Sequence, residues 1–110
     1  MDKSINFNEN LKGAWYVLDI MGRLDTVTAS IGEEKIKHTL DEHLKVALNL
    51  SDLDYISSAG LRVLLRIAKI AYKEKKEVVI CGAHGMVQEI LDDFDIEGFY
   101  TVYQSVADLA

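Results

Sequence analysis

The sequence predicts an α/β domain: a mixed, mostly parallel β-sheet of four to five strands with helices covering it. Three observations predict this. Short runs rich in apolar and β-branched residues alternate with longer stretches of helical periodicity, the pattern of strands joined by crossover helices. Two strand-like runs stand side by side only at the start, which adds one antiparallel hairpin at an edge. The chain has 110 residues, 49% hydrophobic and 27% charged, which fits one domain over residues 1–110 with one core.

Each element has its own warrant. "SINFNENL" (4–11) alternates weakly and reads as an edge strand, and "WYVLDIMG" (15–22) mixes aromatic and β-branched residues and stops at a glycine. "GRLDTVTAS" (22–30) is a turn leading into a helix from about Val27 to Leu44, where Ile36, Leu40 and Leu44 recur every fourth residue. "VALNL" (46–50) is a short buried strand. A helix opens within "YISSAGLRVLL" (55–65). Leu61, Leu64, Leu65, Ala68 and Tyr72 form one apolar stripe on it, and Val63, Ile67 and Ile70 a second. Arg62, Arg66, Lys69 and Lys73 are left as a narrow basic edge facing out. "EVVICGA" (77–83) is a strand and "GMVQEILDDF" (85–94) a short amphipathic helix. "FYTVYQSV" (99–106) reads as a last strand, and "ADLA" starts a short terminal helix. Leu64, Leu65, Ala68, Val79, Ile80, Ile90 and Leu91 are expected in a single core.

The formal net charge is −6, which argues against nucleic acid and anionic membrane surfaces as partners. No apolar run reaches the length of a membrane-spanning helix. "MDKSINFNEN" lacks the apolar stretch of a signal peptide, so a cytoplasmic location is expected. The one cysteine, Cys81, lies in "VVICGA" and reads as a buried core thiol.

No catalytic or cofactor motif is present. The chain has no phosphate-binding lysine loop, no GxGxxG after a strand and no GxSxG elbow. His38 and His43 are five apart and point different ways on one helix, which does not suit a metal. No metal, no cofactor and no enzymatic activity are expected.

The serines of "YISSAGLRVLL" remain. Either Ser57 or Ser58 can cap the helix, at about 1 kcal/mol, but only one of them can. The other hydroxyl is then left open beside Ala59 and Gly60, which are too small to screen it. A phosphate there would meet unpaired backbone N–H groups and the positive end of the helix dipole, with Arg62 one turn away. It would add about −1.5 to −2 of charge to a surface that docks a partner.

Three segments carry a resemblance. "GRLDTVTA" (22–29), "LNLSDLDYISSAGLRVLL" (48–65) and "VVICGAHGMVQEILDDFDIEGFYTVYQSVADLA" (78–110) resemble the STAS domains of anti-sigma factor antagonists, the central segment most specifically. The resemblance implies partner switching. The unphosphorylated protein would bind an anti-sigma factor that is also a serine kinase. Phosphorylation would break that complex, and a metal-dependent serine/threonine phosphatase would reverse it. The family pattern at the acceptor is Asp-Ser-Ser-Gly or Asp-Ser-Thr-Gly. Here it is Ser-Ser-Ala-Gly, residues 57–60, which aligns Ser58 with the acceptor and leaves Ser57 as the alternative. Asp25 matches a position beside the acceptor loop that helps contact the kinase, and it also suits a helix cap. Asp25, Ser57, Ala59, Gly60 and Arg62 are therefore the expected partner-binding residues. Rival readings within the same family are a STAS subunit of a transporter complex, a partner-switch scaffold for a target other than a sigma factor, and a nucleotide-binding module.

Overall fold

A computed structural model describes residues 5–110, so Ser4 of the expected first strand and the residues before it lie outside the description. The chain runs β1 (Ile5–Lys12), β2 (Trp15–Leu24), α1 (Ala29–Glu42), β3 (Lys45–Asn49), β4 (Leu53–Ile56), α2 (Ser58–Glu74), β5 (Glu77–Cys81), α3 (Gly85–Asp93) and β6 (Val102–Tyr103). Single 3₁₀ turns occupy Ile96–Gly98 and Val106–Asp108. The sheet order is β1-β2-β3-β5-β6, with β4 also paired to β2. Among the described residues only β1–β2 is antiparallel; the other pairings are parallel. The expected mixed, mostly parallel sheet is therefore present, with six strands instead of four to five.

The sixth strand comes from the length of β2. Its first half pairs with β3, from Tyr16↔Val46 to Asp19↔Asn49. Beyond a register shift at Gly22/Arg23, its last residues pair with β4, at Arg23↔Tyr55 and Leu24↔Ile56. Since β1 occupies the other edge of β2, β4 continues the line of β3 after a turn at Ser51 and Asp52.

Period-two alternation splits the apolar residues between the two sheet faces. Leu18, Ile20, Val46, Leu48 and Ile80 belong to the main core beneath the helices, with Ile36, Leu40, Leu64, Ile67 and Leu91. Trp15, Val17, Ala47, Val79 and Cys81 face the other way and form a second cluster with Leu109 of the C-terminal tail. Val79 is thus not in the core with Leu64, as the sequence suggested. Its neighbours Val78 and Ile80 point to the helix side, and Leu65, Ala68 and Ile90 pack at its margin.

Other boundaries move too. Helix α1 starts at Ala29 and ends at Glu42, which leaves Val27 and Leu44 exposed outside it. The last strand shrinks to two residues because Phe99 follows the 3₁₀ turn and Gln104 leaves the sheet. The terminal "ADLA" helix is only the 3₁₀ turn at Val106–Asp108. Tyr72, expected on the covered stripe of α2, is 88% exposed.

Candidate functional site

The C-terminal ends of β2 and β4 lie side by side, and each strand leads into a helix. Asp25 is the first residue after β2, and Ser57 the first after β4. The Ser57 N–H donates to the Leu24 carbonyl at 3.0 Å, continuing the pairing by one step. Residues beyond the carboxyl ends of parallel strands, facing helix N-termini, are where open α/β sheets place their recognition sites.

Ser57 is the cap of α2. Its backbone is extended, at φ −103° and ψ 178°, and its Oγ accepts from the N–H groups of Ala59 at 3.2 Å and Gly60 at 3.4 Å. Its carbonyl accepts from Leu61 N–H at 2.9 Å. Ser58 is the first helical residue and is exposed, and its hydroxyl makes no hydrogen bond among the described residues. The structure thus separates two serines that the sequence left equivalent. It also corrects one expectation: the Ala59 and Gly60 N–H groups are already bonded to Ser57, so they are not free to receive an anion.

Gly60 explains the small residues. A Cβ there would collide with the Leu24 carbonyl oxygen and lie 2.8 Å from Ile56 Cγ1. Only glycine lets α2 press this closely on the end of β2. Arg62 is exposed one turn on from Ser58, with no ion pair among the described residues.

Asp25 organises the other helix start. Its Oδ1 accepts from Val27 N–H at 3.0 Å and from the N–H and Oγ1 of Thr28, both at 3.2 Å. Thr28 Oγ1 in turn accepts from Asp25 N–H at 2.9 Å, a reciprocal arrangement like a capping box. The second oxygen, Oδ2, accepts from Arg23 Nε at 3.1 Å. Desolvation pushes the Asp25 pKa up, but these donors together outweigh it and hold the carboxyl below its ordinary value.

Two contributors escaped the sequence. Arg23 stacks over the Tyr55 ring, 4.5 Å from its centroid, while it bonds Asp25. That contact exists only because β4 pairs with β2. Arg66, expected as part of a free basic edge, forms a two-pronged bond with Glu33 of α1, at 2.9 and 2.7 Å. Both charges were visible on their helices, Glu33 in the second turn of α1 and Arg66 in the third turn of α2, but nothing local indicated that they meet.

The three histidines are dispersed. His38 faces Glu42 at 3.6 Å, His43 stacks on Tyr16, and His84 Nε2 lies 2.8 Å from the Ser51 carbonyl. Among the described residues no group of three or more His, Cys, Asp or Glu is placed to hold a metal. Cys81 is buried, and desolvation, with the Asp19 charge adding to it, pushes its thiol up to about 11, so it is a core thiol. No helix among the described residues is long and apolar enough to cross a membrane.

Residues 4–109 match the family model of the STAS domain. The chain belongs to the STAS domain family. Several of the proteins it resembles are named anti-sigma factor antagonists. A Bordetella bronchiseptica protein, provisionally named anti-sigma factor antagonist BtrV, is 35% identical over 85 residues, covering 76% of this chain and 71% of that protein. The crystal structure of an anti-sigma factor antagonist from Mycobacterium paratuberculosis superposes with a TM-score of 0.79 at 20% identity, over 96% of this chain and 90% of that one. The Bacillus antagonist SpoIIAA, solved both unphosphorylated and phosphorylated, gives TM-scores of 0.71 and 0.65 at 13% and 12% identity. Those superpositions cover 90% of this chain in both cases, and 89% and 92% of SpoIIAA. This STAS domain therefore shares the fold of the antagonists, including one that exists in a phosphorylated form.

Proposed function

We propose that this protein is an anti-sigma factor antagonist that works by partner switching, with Ser58 as its phosphoacceptor. Unphosphorylated, it binds an anti-sigma factor that is also a serine kinase and so frees that factor's target. Phosphorylation of Ser58 dissociates the complex, and a metal-dependent serine/threonine phosphatase restores it. The observation that carries this reading is the division between the two serines: Ser57 is committed to the cap, and Ser58 offers an exposed, unbonded hydroxyl. A phosphate there stands at the positive end of the α2 dipole and within one helical turn of Arg62, so the antagonist tolerates it. The same charge pressed against a partner must lose its water, which costs several kcal/mol unless it is paired. Asp25, Ala59 and Arg62 frame Ser58 and make up the docking face with it, while Gly60, expected there too, is buried against Leu24 and sets how closely α2 approaches β2.

The test is to treat the protein with its cognate kinase and map the phosphopeptides. Label on Ser58 is expected. Ser57→Ala should still be labelled and Ser58→Ala should not. Ser58→Ala should keep binding the kinase, whereas Ser58→Asp should bind it more weakly. Label on Ser57 moves the site by one residue, and label on neither serine leaves Ser58 without this role.

A further inference from the structure

The outer face of α2 carries a row of positive charge that the fold leaves unpaired. At about 100° per residue, Ser58, Arg62, Lys69 and Lys73 fall within about 60° of one another, and all four are exposed. The row is about 22 Å long at 1.5 Å per residue, with Ser58 at its head. None of its three cations forms an ion pair among the described residues. Arg66, on the flank of the row, is spent on Glu33. Elsewhere Arg23, Lys35, Lys45 and Lys76 each face a carboxylate. The only acid on α2 is Glu74, the last residue of the helix.

Such a row in a chain of net charge −6 selects its occupant. At physiological ionic strength charges are screened beyond about 8 Å, so a ligand lying along α2 feels the row more than the total. An acidic segment of a protein, extended or helical, matches the row in length and sign. A nucleic acid duplex or an anionic bilayer extends past the row and meets the acids that give the chain its negative charge. Asp25, at the other helix start, is already balanced by Arg23, so Arg62 is the first uncompensated charge beside Ser58. A phosphate on Ser58 adds about −1.5 to −2 within one turn of Arg62 and reverses the sign at the head of the row.

We infer that this face of α2 is a docking strip for an acidic segment of a partner protein, lying lengthwise from Ser58 to Lys73. The strip deepens the proposed switch and rests on it: the partner it serves is the kinase that binds the unphosphorylated form. Phosphorylation then acts twice on one contact. It puts a charge where the partner packs, and it turns the attractive head of the strip repulsive. Exposed charges mainly speed encounter and set its salt dependence, so Lys69 and Lys73, the cations farthest from Ser58, act on association.

Association kinetics of the full chain with its cognate kinase test this. At low salt Lys69→Glu/Lys73→Glu should slow association about tenfold, and the gap should close as salt rises to about 0.5 M. Lys69→Arg/Lys73→Arg should associate like the parent. Both positions are exposed, and circular dichroism checks that each variant is folded. A hexaglutamate peptide, about 20 Å long when extended, tests the strip without the kinase. It should shift the amide resonances of Arg62, Lys69 and Lys73 most, and Lys69→Glu/Lys73→Glu should remove those shifts. Phosphopeptide mapping of the same kinase-treated samples keeps the two readings apart. Label on Ser58 with association indifferent to Lys69→Glu/Lys73→Glu overturns the strip and leaves the switch standing. A kinase that neither binds nor labels the protein overturns the switch, and the peptide then decides the strip: shifts along α2 uphold it and their absence overturns it. A single-stranded oligonucleotide or a phosphatidylglycerol vesicle that shifts these resonances more than the peptide overturns the assignment to a protein partner.

Discussion

Ser57 and Ser58 are chemically identical and adjacent, yet they carry different loads, and stability measurements should separate them. Ser57→Ala removes the acceptor for two helix-end N–H groups and should cost about 0.5–2 kcal/mol in urea unfolding. Ser58→Ala removes an unbonded surface hydroxyl and should stay within about 0.5 kcal/mol of the parent. Equal losses would contradict the assignment of the cap. Gly60→Ala should be worse than an ordinary glycine substitution, at about 1–3 kcal/mol, because the nearest obstacle is the Leu24 carbonyl oxygen and a backbone atom cannot rotate away. At this scale the sequence already contained the small residues and the pair of hydroxyls. Which serine caps depended on where β4 ends, and Ile56 pairing with Leu24 decides that from a distance.

Between elements, the Glu33–Arg66 bond ties α1 to α2. Hydrogen bonds from the guanidinium hold the Glu33 carboxyl below its ordinary 4.5, so the folded state binds this proton less readily than the unfolded chain. Its contribution is complete above pH 4.5 and is lost as pH falls through the lowered folded value. Glu33→Gln should therefore flatten the acid side of the stability curve, read as melting temperature between about pH 6 and pH 3. An acid slope unchanged by this substitution would show that the bond carries no linkage. Most elements were legible because their periodicity is local: the β2 and β5 runs, the α2 stripes and the α3 amphipathic pattern all emerge where the residues suggest. β4 was not. Its four residues, "LDYI", look like the approach to a helix, and only the extra length of β2 makes them a strand. The last strand failed in the opposite direction, since β-forming residues at Tyr100 and Thr101 are spent leaving a 3₁₀ turn. Tyr72 fits a helical stripe by spacing, but the wall opposite it stops at Phe99 and leaves it uncovered.

For the whole molecule, the two faces of the sheet set what each core substitution costs. Leu64, on the inner face of α2, is fully buried, and Leu64→Ala should cost about 2–5 kcal/mol. Leu65 sits at the margin of the same cluster, so Leu65→Ala should cost less than Leu64→Ala in denaturant unfolding. The reverse order would mean that α2 is rotated about its axis away from the orientation that buries Leu64. The sequence gathered the right residues into a core but not onto the right sides, because alternation along β5 sends Val79 away from Ile80. Phosphorylation at Ser58 should leave the melting temperature of the isolated protein unchanged or slightly raised, and a fall of several degrees would contradict the site's position at a helix N-terminus. The separation of duties at residues 57 to 60 reaches beyond the single molecule. On the proposed role of Ser58, selection can rewrite position 58 and leave the Ser57 cap in place: a lineage can silence the signal, fix it permanently, or exchange serine for another acceptor while the helix start keeps its own hydrogen bonds.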